Sequence, residues 1–163
     1  MNDEQKSRLE KLAAHLEAGN LDADVFRFAH YRQVRLIGGA CLTTGCAIGE
    51  CPALFPEDWT WTPFSGLDGV WHTSPRLRSH ASVWRLEAHG VTRISAQEFF
   101  GLTYDEYSAL FLPMSQDELL DFKGEQVLPM LPREATPAKV AENIRTFVRE
   151  YNNIKKDTEK VNL

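Results

Sequence analysis

The stretch SAQEFFGLTYDEYSALFLPMSQDE, residues 95–118, holds three Ser/Thr-x-x-Glu steps in succession: Ser95 with Glu98, Thr103 with Glu106, and Ser115 with Glu118. In such a capping box the hydroxyl accepts a first-turn backbone N–H, and the carboxylate bonds back to the cap residue's own N–H. The three boxes predict three short helices that end near Gly101, Pro113 and Gly124. Glycine adopts the left-handed conformation that closes a helix, and proline cannot continue one.

Downstream, Thr136 followed by Pro137 opens a further helix. The threonine caps it, and proline at the first helical position loses only an N–H that has no helical partner. Val140, Ile144, Phe147, Val148 and Tyr151 keep helical spacing and form its inward face. Beyond it, residues 155–163 (KKDTEKVNL) are expected as a frayed polar tail, leaving residues 1–154 as one globular domain. Upstream, Asn2 with Gln5 starts a helix whose face is Leu9, Leu12, Ala13 and Leu16, with Gly19 as its stop. Between these helices, residues 25–37 (VFRFAHYRQVRLI) and 83–94 (VWRLEAHGVTRI, broken at Gly90) read as short strands. The expected architecture is α+β: a mostly helical single domain with a small antiparallel sheet from those two stretches.

The chain has 163 residues, 43% hydrophobic and 25% charged, which is enough apolar material for a core without a metal or disulfide staple. No apolar run reaches the roughly 20 residues of a membrane span. The opening MNDEQKSRLEK is too polar for a secretory signal, and three cysteines do not make a disulfide framework. A cytoplasmic, membrane-free protein is therefore expected. The net charge of −5 has the wrong sign for a nucleic-acid binder. The charge is also uneven: residues 71–94 carry net +3 and residues 95–125 net −6. Residues 96–111 have the rhythm of a helix-turn-helix, but Asp105 and Glu106 stand where base-reading side chains would meet phosphates. Compact helix packing is the better reading.

The segment GGACLTTGCAIGECP, residues 38–52, spaces Cys41, Cys46 and Cys51 five apart. On a helix, five residues leave neighbouring cysteines about 140° apart in rotation, so they cannot share a metal. No CxxC or His-x3-His spacing occurs in the chain, no phosphate-binding glycine motif is present, and no metal or cofactor is expected. The leading reading is a buried small-residue helix, with Gly45 and Gly49 on one face and the cysteines acting as small hydrophobes. The alternative makes Cys41 a nucleophile at that helix's N-terminus, with His80 or His72 (His89 is also available) as base in a cysteine-dependent hydrolase or transferase.

Trp59, Trp61 and Trp71 fall in a stretch rich in turn residues, followed by Arg76, Arg78 and His80. Tryptophan and arginine are the residues most enriched in interface hot spots, and long irregular segments often carry function. Trp59, Trp61, Trp71, Arg76 and Arg78 are therefore the candidate partner-binding residues. The expected function is non-enzymatic binding of another protein, through residues 59–80 or the acidic helices of 98–125. Self-association is left open.

CLTTGCAIGECPALFPEDW, EFFGLTYDEYSALF and ATPAKVAENIRTFV, in this order, together resemble a small family of bacterial and phage-borne proteins of unassigned function. Its pattern is Cys-Gly-Thr-x-x-Cys-x-x-Gly, an FFGLT-x-x-E…LF block and a closing Thr-Pro-x-x-Val…Ile helix. Leu42 stands where the pattern has glycine after the first cysteine. The resemblance implies no activity, cofactor or catalytic residue.

Overall fold

The computed structural model describes residues 1–21, 25–26, 32–37, 40–65, 71–81, 88–112 and 135–161, with side chains described for 1–21, 46–63, 73–81, 91–112 and 135–151. The order of elements is α1 (Asp3–Ala18), β1 (Val25–Phe26), β2 (Arg32–Ile37), β3 (Ala40–Gly45), α2 (Cys51–Leu54), β4 (Trp59–Ser65), β5 (Trp71–Leu77), α3 (Ala88–Phe100), α4 (Tyr104–Phe111) and α5 (Pro137–Val161). Single 3-10 turns occupy Ile48–Glu50 and Arg78–His80. The fold is α+β and mostly helical, with small sheets.

Local chemistry fixes the helix ends. The Asn2 side chain accepts the Gln5 N–H while Gln5 accepts the Asn2 N–H, and Gly19 closes α1 at φ 70°. Thr103 and Glu106 form the same reciprocal box at the start of α4. Thr136 Oγ1 accepts the Lys139 N–H at 3.3 Å, which opens α5 beside Pro137. α5 continues to Val161, so residues 155–161 are helical where a frayed tail was expected. The Ser115–Glu118 box lies outside the described residues.

The core forms where the two ends of the chain meet. Leu9, Leu12, Ala13 and Leu16 of α1 face Val140, Ile144 and Phe147 of α5, all buried, with Tyr151 buried and Val148 partly so. The terminal ammonium of Met1 donates to the Tyr151 hydroxyl at 2.7 Å. Arg145 adds surface pairs to Glu10 at 3.5 Å and Glu17 at 2.8 Å. Beneath α1 lies an aromatic cluster: Phe55–Phe99 and Phe99–Phe100 are edge-to-face at 5.0 Å, and Trp59–Phe99 at 5.6 Å. This geometry suits the ring quadrupole, whose positive edge meets a negative face.

Three strand and helix expectations are corrected. β2 pairs antiparallel with β3 from Arg32↔Gly45 to Ile37↔Ala40, and β1 pairs parallel with β3. Residues 40–45 are therefore the central strand of a sheet instead of a helix, and Gly45 and Gly49 share no helical face. β1 and β2 both pair with this strand, and the described part of 83–94, residues 88–94, forms the first half of α3. Gly90 lies inside that helix, a cost of about 1 kcal/mol that tertiary packing outweighs. The stretch read as irregular is an antiparallel hairpin, registered from Trp59↔Leu77 to Ser65↔Trp71. Pro63 and Pro75 are tolerated because each strand of a two-stranded sheet has a free edge.

Candidate functional site

The hairpin divides the candidate partner-binding residues between interior and surface. Trp59 is 1% exposed and packs on Phe99 and Phe100, so it is core and not an anchor for a partner. Arg76 is also buried, its Nη2 donating to Ser74 Oγ at 2.9 Å, and burial lowers its guanidinium from the ordinary arginine value. Trp61 is half-buried. Trp71 lies at the far end of the hairpin on β5, with its side chain outside the described residues.

Arg78 is exposed and structurally engaged. Its Nε and Nη2 donate to the Pro56 carbonyl at 3.0 and 2.9 Å, and its backbone N–H to Asp58 O at 2.8 Å. These bonds tie the end of β5 to the turn before β4. Next to it, His80 lies against α3, with Nδ1 2.9 Å from Ser95 Oγ and Nε2 3.1 Å from Glu98 Oε2. Ser95 is thus no helix cap. It sits in the interior of α3, fully buried, and its Oγ accepts the Leu77 N–H at 3.1 Å. The serine, histidine and carboxylate have the composition of a hydrolytic triad, but a nucleophile must reach substrate. This hydroxyl has no exposure and serves instead as a bracket between strand, turn and helix. The i, i+3 spacing of Ser95 and Glu98 was the sequence signal for a shared face, read there as a cap.

A cleft of about 350 Å³ opens beside this bracket, lined by Arg8, Glu57, Asp58, Leu77, Arg78, Ser79, Glu98 and Phe99. Both of its arginines are engaged. Arg78 is clamped on Pro56, while Arg8 pairs with Glu4, donates to Phe99 O at 2.9 Å and stacks on the Phe99 ring at 4.1 Å. Among the described residues, the Glu57 and Asp58 carboxylates have no ion-pair partner. The cleft thus brings together Arg78 and Ser79 from the 59–80 stretch with Glu98 from the acidic block.

The cysteine alternative loses its structural premise. Cys41 lies on β3 and not at the helix N-terminus on which that reading rested; its side chain and that of His72 are outside the described residues. Cys46 and Cys51 are buried free thiols, as the small-hydrophobe reading expects. Burial pushes the Cys46 thiol up to about 11, against weaker opposing backbone hydrogen bonds from Gly49 and Ile48. Burial also raises Cys51 well above the ordinary thiol value. Both are far from the thiolate that attacks substrates.

Among the described residues no group of three His, Cys, Asp or Glu could hold a metal ion, and no helix is long and apolar enough to cross a membrane. Compared with protein-family models, curated proteins and solved structures, the chain matches none.

Proposed function

We propose that this chain is a non-enzymatic binding protein that receives a segment of another protein in the cleft between the Pro56–Asp58 turn, Arg78–Ser79 and α3. The observation that carries this reading is the charge state of the cleft wall. Glu57, Asp58 and Glu98 line it against Arg8 and Arg78. Arg8 is offset by Glu4, Arg78 keeps its charge with its donors on the Pro56 carbonyl, and Glu98 lies 3.1 Å from His80, so the wall is acidic on balance. The lining therefore suits a partner segment bearing lysine or arginine, because opposite charges across a partly enclosed surface steer encounter and fix register. The reading keeps Arg78 at the site and moves Trp59 and Arg76 to the supporting core. Their burial makes the wall rigid, which limits the ordering entropy lost on binding.

The test is affinity capture with wild-type protein and the Asp58→Lys and Glu98→Lys variants, followed by identification of retained proteins. Both positions are exposed, so the variants should fold with an unchanged far-ultraviolet spectrum. A partner held by the wild type and released by both variants supports the cleft. Equal retention by all three proteins would place the interface elsewhere, and no specific retention would remove the reading.

A further inference from the structure

On a separate face, we infer that the junction of α3 and α4, at Arg93, Ile94, Tyr104 and Asp105, is a self-association surface whose occupant is a second copy of this chain. Ile94, 37% exposed, and Tyr104, 52% exposed, are the large hydrophobic side chains left at the surface among the described residues. Arg93, one step around α3 from Ile94, places its guanidinium 5.0 Å from the centre of the Tyr104 ring. Arg93 Nε is buried with no hydrogen-bond partner, and Arg93 forms no ion pair among the described residues. Asp105 follows Tyr104 in the first turn of α4, exposed and likewise without an ion-pair partner among the described residues. Its neighbour Glu106 is held by the Thr103 N–H at 2.7 Å.

The patch thus presents one uncompensated cation, one uncompensated anion and an aromatic ring in close succession. A purely acidic partner would meet Asp105, a purely basic one would meet Arg93, and a phosphate backbone would meet the carboxylates of α4. A surface carrying both signs beside an apolar contact fits best, and this patch is such a surface. In a two-fold dimer the same patch faces itself, so Arg93 of each copy pairs with Asp105 of the other across the tyrosines. Tyrosine and arginine at the centre, with little rotamer freedom left in the stacked pair, are the composition that concentrates interface energy.

Sedimentation of the full chain over a micromolar to millimolar range tests this. The wild type should show a concentration-dependent dimer. Arg93→Asp or Asp105→Arg alone should weaken it about tenfold or more, because each substitution removes both symmetry-related charge pairs and sets like charges opposite each other. The combined reversal should recover part of the lost affinity, the charge pairs without the Arg93–Tyr104 stack, which a merely misfolded variant would not do. Tyr104→Ser, at an exposed position, should abolish it. A chain monomeric throughout the range overturns the inference. A dimer indifferent to the reversals, or a double reversal no stronger than either single one, overturns it as well.

Discussion

The Ser95 hydroxyl accepts the Leu77 backbone N–H at 3.1 Å, so a side chain from the interior of α3 satisfies the last residue of β5 just where the strand turns toward His80. Leu77 is nearly buried, and its N–H cannot turn to bulk water instead. Ser95→Ala removes the acceptor and leaves the donor buried, which costs about 1–3 kcal/mol. Glu98→Ala removes the other contact of His80, yet that carboxylate is 60% exposed and its pair is worth under about 1 kcal/mol. Urea denaturation should therefore separate the two: a clear fall in midpoint for Ser95→Ala and little change for Glu98→Ala. Equal effects would mean that the histidine pair, and not the strand N–H, is what Ser95 supports.

Phe147 lies fully buried between α1 and α5, with its ring 5.5 Å from that of Tyr151. Phe147→Ala should cost about 3–5 kcal/mol, the sum of lost transfer energy and the cavity left behind. Thermal denaturation gives the answer, and an unchanged midpoint would mean that α5 does not dock on α1.

The buried thiols make stability fall at alkaline pH. In the unfolded chain Cys46 ionises near its ordinary value of 9.0, whereas in the folded chain it holds its proton up to about 11. The folded state then binds more protons than the unfolded state across that interval. Stability is full below pH 9 and declines as pH rises toward 11. Cys51, also raised by burial, acts in the same direction. Denaturation midpoints measured between pH 8 and 11 should drop less in a Cys46→Ala variant than in the wild type, relative to each protein's own value at pH 8. At pH 7.5 the native protein should leave both thiols unmodified by an alkylating reagent until denaturant is added. Fast native modification of either would contradict their burial.

The sequence makes legible what its local chemistry determines. The Asn2–Gln5 and Thr103–Glu106 boxes each need only four consecutive residues, and the α5 face needs only helical periodicity. Ser95 has the same local signature as Thr103, but α3 begins upstream at Ala88, so the serine is interior and its partners come from β5 and the 3-10 turn. No local pattern reveals that. Residues 40–45 become a strand because β2 and β1 supply hydrogen-bond partners on both sides, a register set by tertiary pairing. The hairpin carried a local clue in the alternation Trp59-Thr60-Trp61-Thr62, masked by two prolines and by the buried polar Ser74 and Arg76. The cleft was legible only as two separate stretches, because 20 residues of sequence separate Arg78 from Glu98 while the fold sets them on one wall.

Gly101 and Gln5 provide the last prediction, because they couple the α3–α4 turn to the start of α1. Gly101 ends α3 at φ 67°, in the left-handed region where a side chain costs roughly 1–2 kcal/mol. A Cβ there would also collide with the carboxamide of Gln5, whose Oε1 accepts the Asn2 N–H at 2.8 Å. Gly101→Ala therefore carries two penalties: backbone strain, and displacement of a side chain that completes a cap. Gln5→Ala alone loses the return bond of the box, worth about 0.5–1.5 kcal/mol. In the double variant the collision has already been removed, so Gly101→Ala should cost less than in the wild type. The expected coupling is about 0.5–1 kcal/mol, at the lower end for residues in direct contact. Chemical denaturation of the four proteins in the cycle measures it. Strict additivity would mean that strain at Gly101 is the whole penalty and that the α1 cap stands apart from the α3–α4 turn.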